Sequence, residues 1–330
     1  PVPGNNSFAA GIALRELLIQ AGPRDLVLFF ISGGGSALAT LPIPGVALQD
    51  VADLTNALIR SGAKIEQMNI IRKQIDLVKG GGLARMVRQS RMAAFILSDV
   101  IGNSIEAIAS GPAYNEEMDP TAAIKVLQEF NLWDGLPVIL RNHFSETKSK
   151  QQDQHQKIPH FIVGDNNTSL SAAEEQAVHC GYKVICLPGK YTGTVTQTAE
   201  ELIAALSDVR QRMDGLKYCV IWGGEPVVRV SGSGLGGRNQ HLALTLAKAF
   251  KLSDRGCFVC IATDGDDGPT DAAGAFVNAA TIQKAGSLGL NIDRFLQEFD
   301  SYHFFEATGQ LLRIGPTGTN VNDLLFYFSE

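Results

Sequence analysis

The chain has 330 residues, of which 45% are hydrophobic and 19% are charged, and its formal net charge is −6. A chain of this length and apolar content can bury a sizeable core and more often forms two domains than one. It has no lysine- and arginine-rich segment that would favour nucleic acid or an anionic membrane, and no apolar run reaches the ~20 residues of a transmembrane helix.

The five cysteines are odd in number and lie mostly inside apolar runs, which is typical of reduced thiols in an intracellular protein. Cys257 and Cys260 form a CxxC on a predicted strand, where they point to opposite faces, so we expect no zinc or redox site. The predicted location is intracellular and cytoplasmic. A mitochondrial location stays open because a targeting segment ahead of Pro1 would not be visible here.

Residues 1–157 predict a Rossmann-like, three-layer N-terminal domain that is incomplete at its start. A helix at 8–21 is followed by the apolar run 26–31, which predicts a central parallel strand covered on both faces. The polar segment 145–157 predicts an exposed linker and the domain boundary. The further expected elements are helices at 50–62 and 67–78, a buried strand at 92–97 and helical segments between 120 and 141.

The first strand runs directly into Ser32, Gly33, Gly34, Gly35 and Ser36. Glycines at the carboxyl end of a parallel strand let backbone N–H groups converge on an anion. We therefore interpret this loop as a phosphate or carboxylate site, with a simple tight turn as the alternative.

Two basic residues and one acidic residue extend this candidate site. Arg72 lies on a predicted helix, and Lys79 precedes a glycine triplet that would let it reach a bound oxyanion with little steric obstruction. A solvated lysine at a helix C-terminus is the ordinary alternative for Lys79. Asp99 ends the second strand, where a carboxylate suits a cleft better than a core.

Residues 158–330 predict a second α/β domain, because strands and helices alternate from its start as they do in parallel sheets. The expected strands are at 161–163, 183–187, 217–222, 227–230, 257–262 and 324–328, and the expected helices are at 169–179, 194–213, 239–250 and 279–288.

A glycine-rich loop follows the predicted strand 227–230 in this domain. Gly232, Gly234 and Gly237 satisfy GxGxxG, which alone is a weak dinucleotide signal. Arg238 follows at the start of a predicted helix and adds a cation to the helix N-terminus. We interpret the loop, including Gly236, as a second anion site, with a dinucleotide site as the alternative.

The segment TDGDDGPTDAAG places Asp264, Asp266, Asp267 and Asp271 after an apolar strand. Crowded carboxylates repel one another unless a cation, a cationic side chain or a reacting hydroxyl neutralises them. We expect Asp264 and Asp267 to bind magnesium or to accept a hydroxyl proton, with Asp99 as a lesser metal candidate. Asp266 is expected in a turn and Asp271 at a helix cap.

Six segments together resemble the class II glycerate 2-kinases, which carry a C-terminal MOFRL domain. They are SGGGSAL (32–38), RKQIDLVKGGGLA (72–84), LSDVIGN with IASGP (97–112), GGRNQHLAL (236–244), TDGDDGPTDAAGA (263–275) and GPTGTNVNDL (315–324). Members of that family carry about one more βα unit ahead of the position of Pro1.

The resemblance implies ATP- and Mg²⁺-dependent phosphorylation of D-glycerate to 2-phosphoglycerate. It also implies a mixed-sheet C-terminal domain, with the MOFRL region at about 215–330, and an active-site cleft between two α/β domains. The expected catalytic residues are Arg238, Asp264 and Lys79. The expected substrate- and phosphate-binding residues are Ser32, Gly33, Gly34, Gly35, Ser36, Arg72, Gly234, Gly236, Gly237, Thr319 and Asn320.

Two alternative functions remain open from the sequence. One is a nicotinamide-dependent hydroxypyruvate reductase, and the other is an incomplete chain that binds ligand without turnover. Small-molecule substrates are the expected partners in all three cases, and the sequence permits a homo-oligomer.

Overall fold

A computed structural model describes residues 2–87, 89–114, 119–147, 158–250 and 255–329. The chain divides into two compact units, Pro1–Val163 and Gly164–Glu330. Of the linker expected at 145–157, residues 148–157 lie outside the described residues, and residues 145 and 146 form the last turn of a helix.

Unit 1 contains a three-stranded sheet in the order β1-β2-β3, formed by β1 (Leu26–Ile31), β2 (Arg91–Leu97) and β3 (His160–Gly164). Strands β1 and β2 are parallel, as expected. The helices are α1 (Asn5–Leu18), α2 (Gly35–Leu38), α3 (Leu48–Arg60), α4 (Ile65–Ile75), α5 (Gly82–Met86), α6 (Pro120–Glu129) and α7 (Val138–Glu146), with a 3₁₀ turn at Ile108–Ser110.

The expectation that strand β1 is central and covered on both faces is wrong. It lies at the edge of the described sheet, and its side chains alternate between a core face and an exposed face. Phe30 is 78% exposed and stacks on Phe95, which stacks on Phe161, with ring centroids 5.4 Å apart in both pairs. An apolar run without alternation predicts a buried strand, but it does not show which faces of the strand are covered by the rest of the protein.

Unit 2 contains a six-stranded sheet in the order β4-β5-β9-β6-β7-β8. Its strands are β4 (Lys183–Cys186), β5 (Tyr218–Gly224), β6 (Cys257–Ala262), β7 (Gly274–Asn278), β8 (Leu311–Leu312) and β9 (Asp323–Phe328). Strands β4 and β5 are parallel and every other pair is antiparallel, so the sheet is mixed, as the resemblance implied.

The helices of unit 2 are α8 (Asn166–His179), α9 (Val195–Arg212), α10 (Arg238–Ala247), α11 (Ala279–Ser287), α12 (Ile292–Glu298) and α13 (Ser301–Thr308). The main core lies where α9 and α10 pack on the sheet around Trp222, Leu242 and Leu325. The prediction of a strand at 227–230 is wrong, because only an isolated bridge from Val227 to Thr194 forms there.

The register of β9 brings three chain segments to one end of this sheet. Asp323, the first residue of β9, pairs with Gly224 at the end of β5 and with Ala262 at the end of β6. Since both neighbours run antiparallel to β9, the loops that leave β5 and β6 meet the loop that enters β9.

Candidate functional site

Arg238 is the centre of the polar cluster at this end of the sheet. Its Nε donates to Oδ2 of Asp323 at 2.6 Å, and Nη2 donates to Oδ1 of the same carboxylate at 3.0 Å. Its Nη1 lies 2.8 Å from Oε1 of Glu225. Asn322 donates from Nδ2 to the other oxygen of Glu225 at 3.0 Å, so both carboxylates are held in place.

These contacts set the charge state of the cluster. Burial lowers the pKa of Arg238, but hydrogen bonds to Asp323 and the charges of Asp323 and Glu225 outweigh it and raise the pKa above its ordinary value. Burial raises the pKa of Asp323, and the hydrogen bonds and charge of Arg238 oppose that rise. Arg238 therefore stays a cation that is already surrounded by negative charge.

The N-terminus of α10 is occupied by a side chain of the protein. Oδ1 of Asp267 accepts from the backbone N of Asn239 at 3.0 Å, and Oδ2 accepts from the backbone N of Gln240 at 2.8 Å. Asp267 is 2% exposed, and burial raises its pKa to about 6 against these two hydrogen bonds. The expectation that Asp267 binds magnesium is wrong, because its carboxylate caps a helix from inside the core.

The glycine loop ahead of α10 is shaped by protein contacts. Gly234 donates its backbone N–H to the carbonyl of Glu298 at 2.8 Å. A Cβ at Gly234 would lie 2.6 Å from that carbonyl oxygen and 2.5 Å from Cβ of Asp300. A Cβ at Gly236 would lie 2.2 Å from Oγ of Ser301, and one at Gly237 would meet the carboxylate of Asp267.

Close packing therefore explains the glycines of the GxGxxG pattern. The backbone N–H of Gly234 is already bonded, and the first N–H groups of α10 are bonded to Asp267. The expectation that Gly234 binds a phosphate through its N–H is wrong for this structure, because that N–H is bonded within the protein, whereas Gly236 and Gly237 stay predictions.

Two loops meet beside this cluster and carry Asp264, Thr319 and Asn320. Thr317 donates from its backbone N to the carbonyl of Asp264 at 3.0 Å, and Thr263 bonds through Oγ1 to the carbonyl of Asn322 at 2.7 Å. Asp264 and Thr319 are partly exposed and Asn320 is exposed. The fold thus brings these three predicted residues to the sheet end that holds Arg238.

The other two aspartates of the segment differ in their roles. Asp266 follows the turn at residues 263–264, and its N–H donates to Oδ1 of Asp264 at 3.1 Å. Asp271 does not cap a helix, because strand β7 follows it. Its carboxylate instead accepts from Tyr302 at 2.8 Å and from Arg313 at 2.9 Å.

The serine- and glycine-rich loop of unit 1 lies against two other segments. The Ser36 hydroxyl is 2.9 Å from the Ser110 hydroxyl, and Arg72 donates from Nη2 to the Ser36 carbonyl at 3.1 Å. A Cβ at Gly33 would lie 1.8 Å from Oδ2 of Asp99, so this carboxylate packs directly on the loop.

The two ends of this loop therefore carry different charges. Negative charge from Asp99 lies at Gly33, whereas a guanidinium lies at Ser36. Ser32 and Gly34 are exposed, and Gly34 is a left-handed N-cap of the short helix α2 that begins at Gly35. An anion at this loop would lie at its Ser36 end.

Lys79 is not an open oxyanion contact. It is 1% exposed, forms an ion pair with Asp76 and donates to the Ala39 carbonyl at 3.2 Å. Burial lowers its pKa, and Asp76 opposes that effect. The expected catalytic role of Lys79 is therefore wrong, because its ammonium is buried against Asp76 and the Ala39 carbonyl.

Several residues of these clusters were not singled out by the sequence. Glu225 follows strand β5, Asn322 precedes β9 and Asp323 begins it, so their position at strand ends was a usable signal for unit 2. Ser110 carried no such signal, because its partners Ser36 and Asn69 come from segments distant in the chain, and Asp76 likewise accepts from the distant Leu41 as well as pairing with Lys79.

Among the described residues, no set of three or more His, Cys, Asp or Glu side chains has the arrangement of a metal site. Within the same part of the chain, no helix combines the length and the apolar character needed to cross a membrane.

Two families match parts of the chain. Residues 1–145 match a family described as a domain of unknown function, DUF4147, and residues 218–323 match the MOFRL family. The MOFRL match covers the sheet end that carries Arg238, Asp264 and Asp323.

Similar proteins extend over nearly the whole chain. A D-glycerate 2-kinase from Thermotoga maritima is 36% identical over 328 residues, covering 98% of this chain and 77% of the relative. The human glycerate kinase is 33% identical over 374 residues, covering 99% of this chain and 72% of the relative. The crystal structure of the glycerate kinase from Thermotoga maritima superposes with a TM-score of 0.91 at 34% identity, covering 100% of this chain and 79% of that chain.

These similarities confirm the kinase hypothesis rather than the reductase alternative. The identity over nearly the whole chain and the matching fold agree on one assignment. The chain belongs to the glycerate kinase family, and its function is that of an ATP-dependent glycerate 2-kinase.

Proposed function

We propose that unit 1 binds D-glycerate at Ser36 and Arg72, and that unit 2 binds ATP with Mg²⁺ at the sheet end formed by Asp264, Glu225 and Arg238. The observation that carries this division is the opposite charge of the two clusters. One holds buried cations beside hydroxyl groups, and the other holds an excess of carboxylates.

Unit 1 has the character of a site for a small hydroxy acid. Arg72, Lys73 and Lys79 are only 5%, 8% and 1% exposed. Asp76 pairs with Lys79, and burial lowers the pKa of Arg72 while Asp76 opposes that effect. Buried cations are costly unless they are paired, so a ligand carboxylate beside Arg72 would stabilise the cluster.

Unit 2 has the opposite character. Asp323 and Glu225 bond to the guanidinium of Arg238, and Asp267 and Asp264 lie in the neighbouring hydrogen-bonded segments. Such a cluster attracts a cation, and its oxygen atoms are the donors that Mg²⁺ prefers. Asp264 is the partly exposed carboxylate without an arginine partner among the described contacts, so it would hold the metal.

The residues present fit a metal that arrives with the nucleotide. Mg²⁺ commonly keeps several waters and uses one or two carboxylates together with substrate phosphates. The lack of a larger acidic metal site among the described residues is compatible with that arrangement. When bound, Mg²⁺ would neutralise charge on the phosphates.

Arg238 retains donors for the phosphoryl group. A guanidinium has five N–H groups, and the described contacts to Asp323 and Glu225 use three of them. The remaining two belong to the Nη atoms, and the side chain is partly exposed. Because both carboxylates fix the plane of the guanidinium, it can stabilise developing charge without reorganising.

The reaction joins the glycerate 2-hydroxyl oxygen to the terminal phosphorus of ATP and releases ADP. The hydroxyl proton is released as this bond forms. Arg72 would hold the glycerate carboxylate and Ser36 would contact a hydroxyl group, so that binding orients the nucleophile.

Steady-state kinetics with glycerate, ATP and Mg²⁺ test this division. Arg72→Gln should raise the KM for glycerate by about 10- to 100-fold with little change in the KM for ATP, since a charge-assisted hydrogen bond is lost. Arg60→Gln, at the exposed end of α3, is the matched control and should change neither. A rise in the KM for ATP instead would reverse the assignment of the two units.

Asp264→Asn tests the acidic end in the same assay. We expect kcat to fall by about 100-fold or more, and the Mg²⁺ concentration for half-maximal rate to rise. Asp266→Asn, in the same loop, is the control that should leave both close to the original values. Unchanged turnover in Asp264→Asn would remove this residue from the mechanism.

A further inference from the structure

Three successive residues in unit 1 adopt a left-handed backbone conformation. The φ angles are 51° at Ala109, 62° at Ser110 and 59° at Gly111. For residues with a Cβ this region costs on the order of 1 kcal/mol or more each, and such strain persists where the surroundings hold it. Gly80 and Gly81 hold the turn by donating to the carbonyls of Ser110 at 2.9 Å and Gly111 at 2.7 Å.

The turn places the Ser110 hydroxyl between two polar side chains. Ser110 is 1% exposed, and its Oγ donates to Oδ1 of Asn69 at 2.9 Å. The Ser36 hydroxyl oxygen lies 2.9 Å from Oγ of Ser110. Since the Ser110 proton is directed to Asn69, Ser36 must donate its own proton to Ser110.

This chain of hydrogen bonds fixes the donor and acceptor roles of the Ser36 hydroxyl. With its proton committed to Ser110, Ser36 can only accept from a ligand. Arg72 fixes the backbone of the same residue by donating to its carbonyl at 3.1 Å. A ligand bound here would thus find the Arg72 cation for its carboxylate and the Ser36 oxygen as an acceptor for its hydroxyl group.

We propose that Ser110 is a positioning residue that fixes Ser36 as the acceptor for the 3-hydroxyl of glycerate and so sets the preference for this hydroxy acid. The inference rests on the proposed binding of glycerate to unit 1. A ligand that lacks the 3-hydroxyl leaves the Ser36 oxygen without its donor, and sites built around a substrate hydroxyl reject such ligands strongly.

The test compares kcat/KM for D-glycerate and for D-lactate, which lacks the 3-hydroxyl. Ser110→Gly removes the hydroxyl, while glycine accepts the positive φ without strain, so the variant should fold as well as the original chain. We expect the glycerate-to-lactate ratio to fall by about 10-fold, mainly through the KM for glycerate. Ala109→Gly relieves the neighbouring strain but keeps the hydroxyl, and its ratio should not change.

A double-mutant cycle shows whether Ser110 acts through Ser36. The glycerate-to-lactate ratio of kcat/KM in Ser36→Ala/Ser110→Gly should equal that in Ser36→Ala alone. In the double variant, Ser110 has no Ser36 hydroxyl left to orient. Independent, multiplying losses would overturn the proposal.

The outcomes also separate this inference from the proposed function. If Ser110→Gly keeps the original ratio while Arg72→Gln raises the KM for glycerate, glycerate binds in unit 1 and the role of Ser110 is wrong. If neither variant changes the KM for glycerate, the binding site itself is wrong. Thermal unfolding of each variant checks that the losses do not come from misfolding.

Discussion

At the scale of single residues, Asp267 is a buried carboxyl group that caps the N-terminus of α10. Its two oxygens accept the backbone N–H groups of Asn239 and Gln240, yet burial raises its pKa from the ordinary 3.8 to about 6. Burial thus destabilises the ionised form by more than these two donors and Arg238 stabilise it.

The shift predicts how unfolding stability changes with pH. Because the folded pKa is above the unfolded pKa, the contribution of Asp267 is fully present below about pH 4 and is lost as pH rises through about 6. The difference approaches 3 kcal/mol for a shift of this size. It is measured as the free energy of urea unfolding at pH 4, 5, 6 and 7.

Asp267→Asn isolates this contribution from that of other carboxylates. The variant should be less stable by about 1–2 kcal/mol at pH 4, because an amide has a single acceptor oxygen for the helix. The stability gap between the original chain and the variant should shrink as pH rises from 4 to 6. A constant gap over that interval would show that Asp267 does not titrate there.

Arg238 offers a second prediction at this scale. Arg238→Lys keeps the charge but loses the two parallel hydrogen bonds to Asp323. We expect kcat to fall by about 100-fold, since one ammonium cannot hold two carboxylates and a phosphoryl group in a fixed plane. Arg229→Lys, on the exposed loop before the glycines, is the control and should leave kcat unchanged.

At the scale of elements, periodicity located most helices and strands, and the loops were predicted less well. Strand 257–262 has the predicted bounds, and the long helices differ from prediction by a few residues at their ends. Gly234 was misinterpreted because it packs against Glu298 and Asp300, which lie far along the chain. Local sequence does not reveal such a contact.

The close approach at Gly234 gives a prediction at this scale. Gly234→Ala places a methyl group 2.5–2.6 Å from Asp300 and Glu298, so it should lower stability by about 1–3 kcal/mol. Gly286→Ala is the control, because Gly286 lies in α11 with open space around it, and alanine there should raise stability by up to about 1 kcal/mol. Thermal melts of both variants measure the contrast, and equal melting temperatures would contradict it.

At the scale of the whole molecule, the sequence could predict two α/β units and the motifs that enter each site, but not how the charges pair. Arg238 and Asp264 lie where the motifs placed them, at one end of the mixed sheet. Lys79 and Asp267 carry the right chemistry in the right segments, yet both face the core. Side-chain direction depends on packing that spacing alone does not specify.

The stacked aromatic row of unit 1 gives the last prediction. Phe30, Phe95 and Phe161 leave an apolar strip on the exposed face of the sheet, and such strips promote association. Phe30→Thr should lower the sedimentation-measured association of the chain with little change in stability, because Phe30 is mostly exposed. Phe29→Thr, on the buried face, should cost about 3–5 kcal/mol instead. Unchanged association in Phe30→Thr would show that the strip does not promote association of the chain.

The position of β9 between β5 and β6 has a consequence for synthesis on the ribosome. Until residues 323–328 emerge, the sheet of unit 2 consists of two separate halves whose inner strands have unpaired edges. Such unpaired edges are aggregation-prone while translation continues. The same strand delivers Asp323, so the nascent chain gains its stable sheet and its fixed Arg238 in one late step.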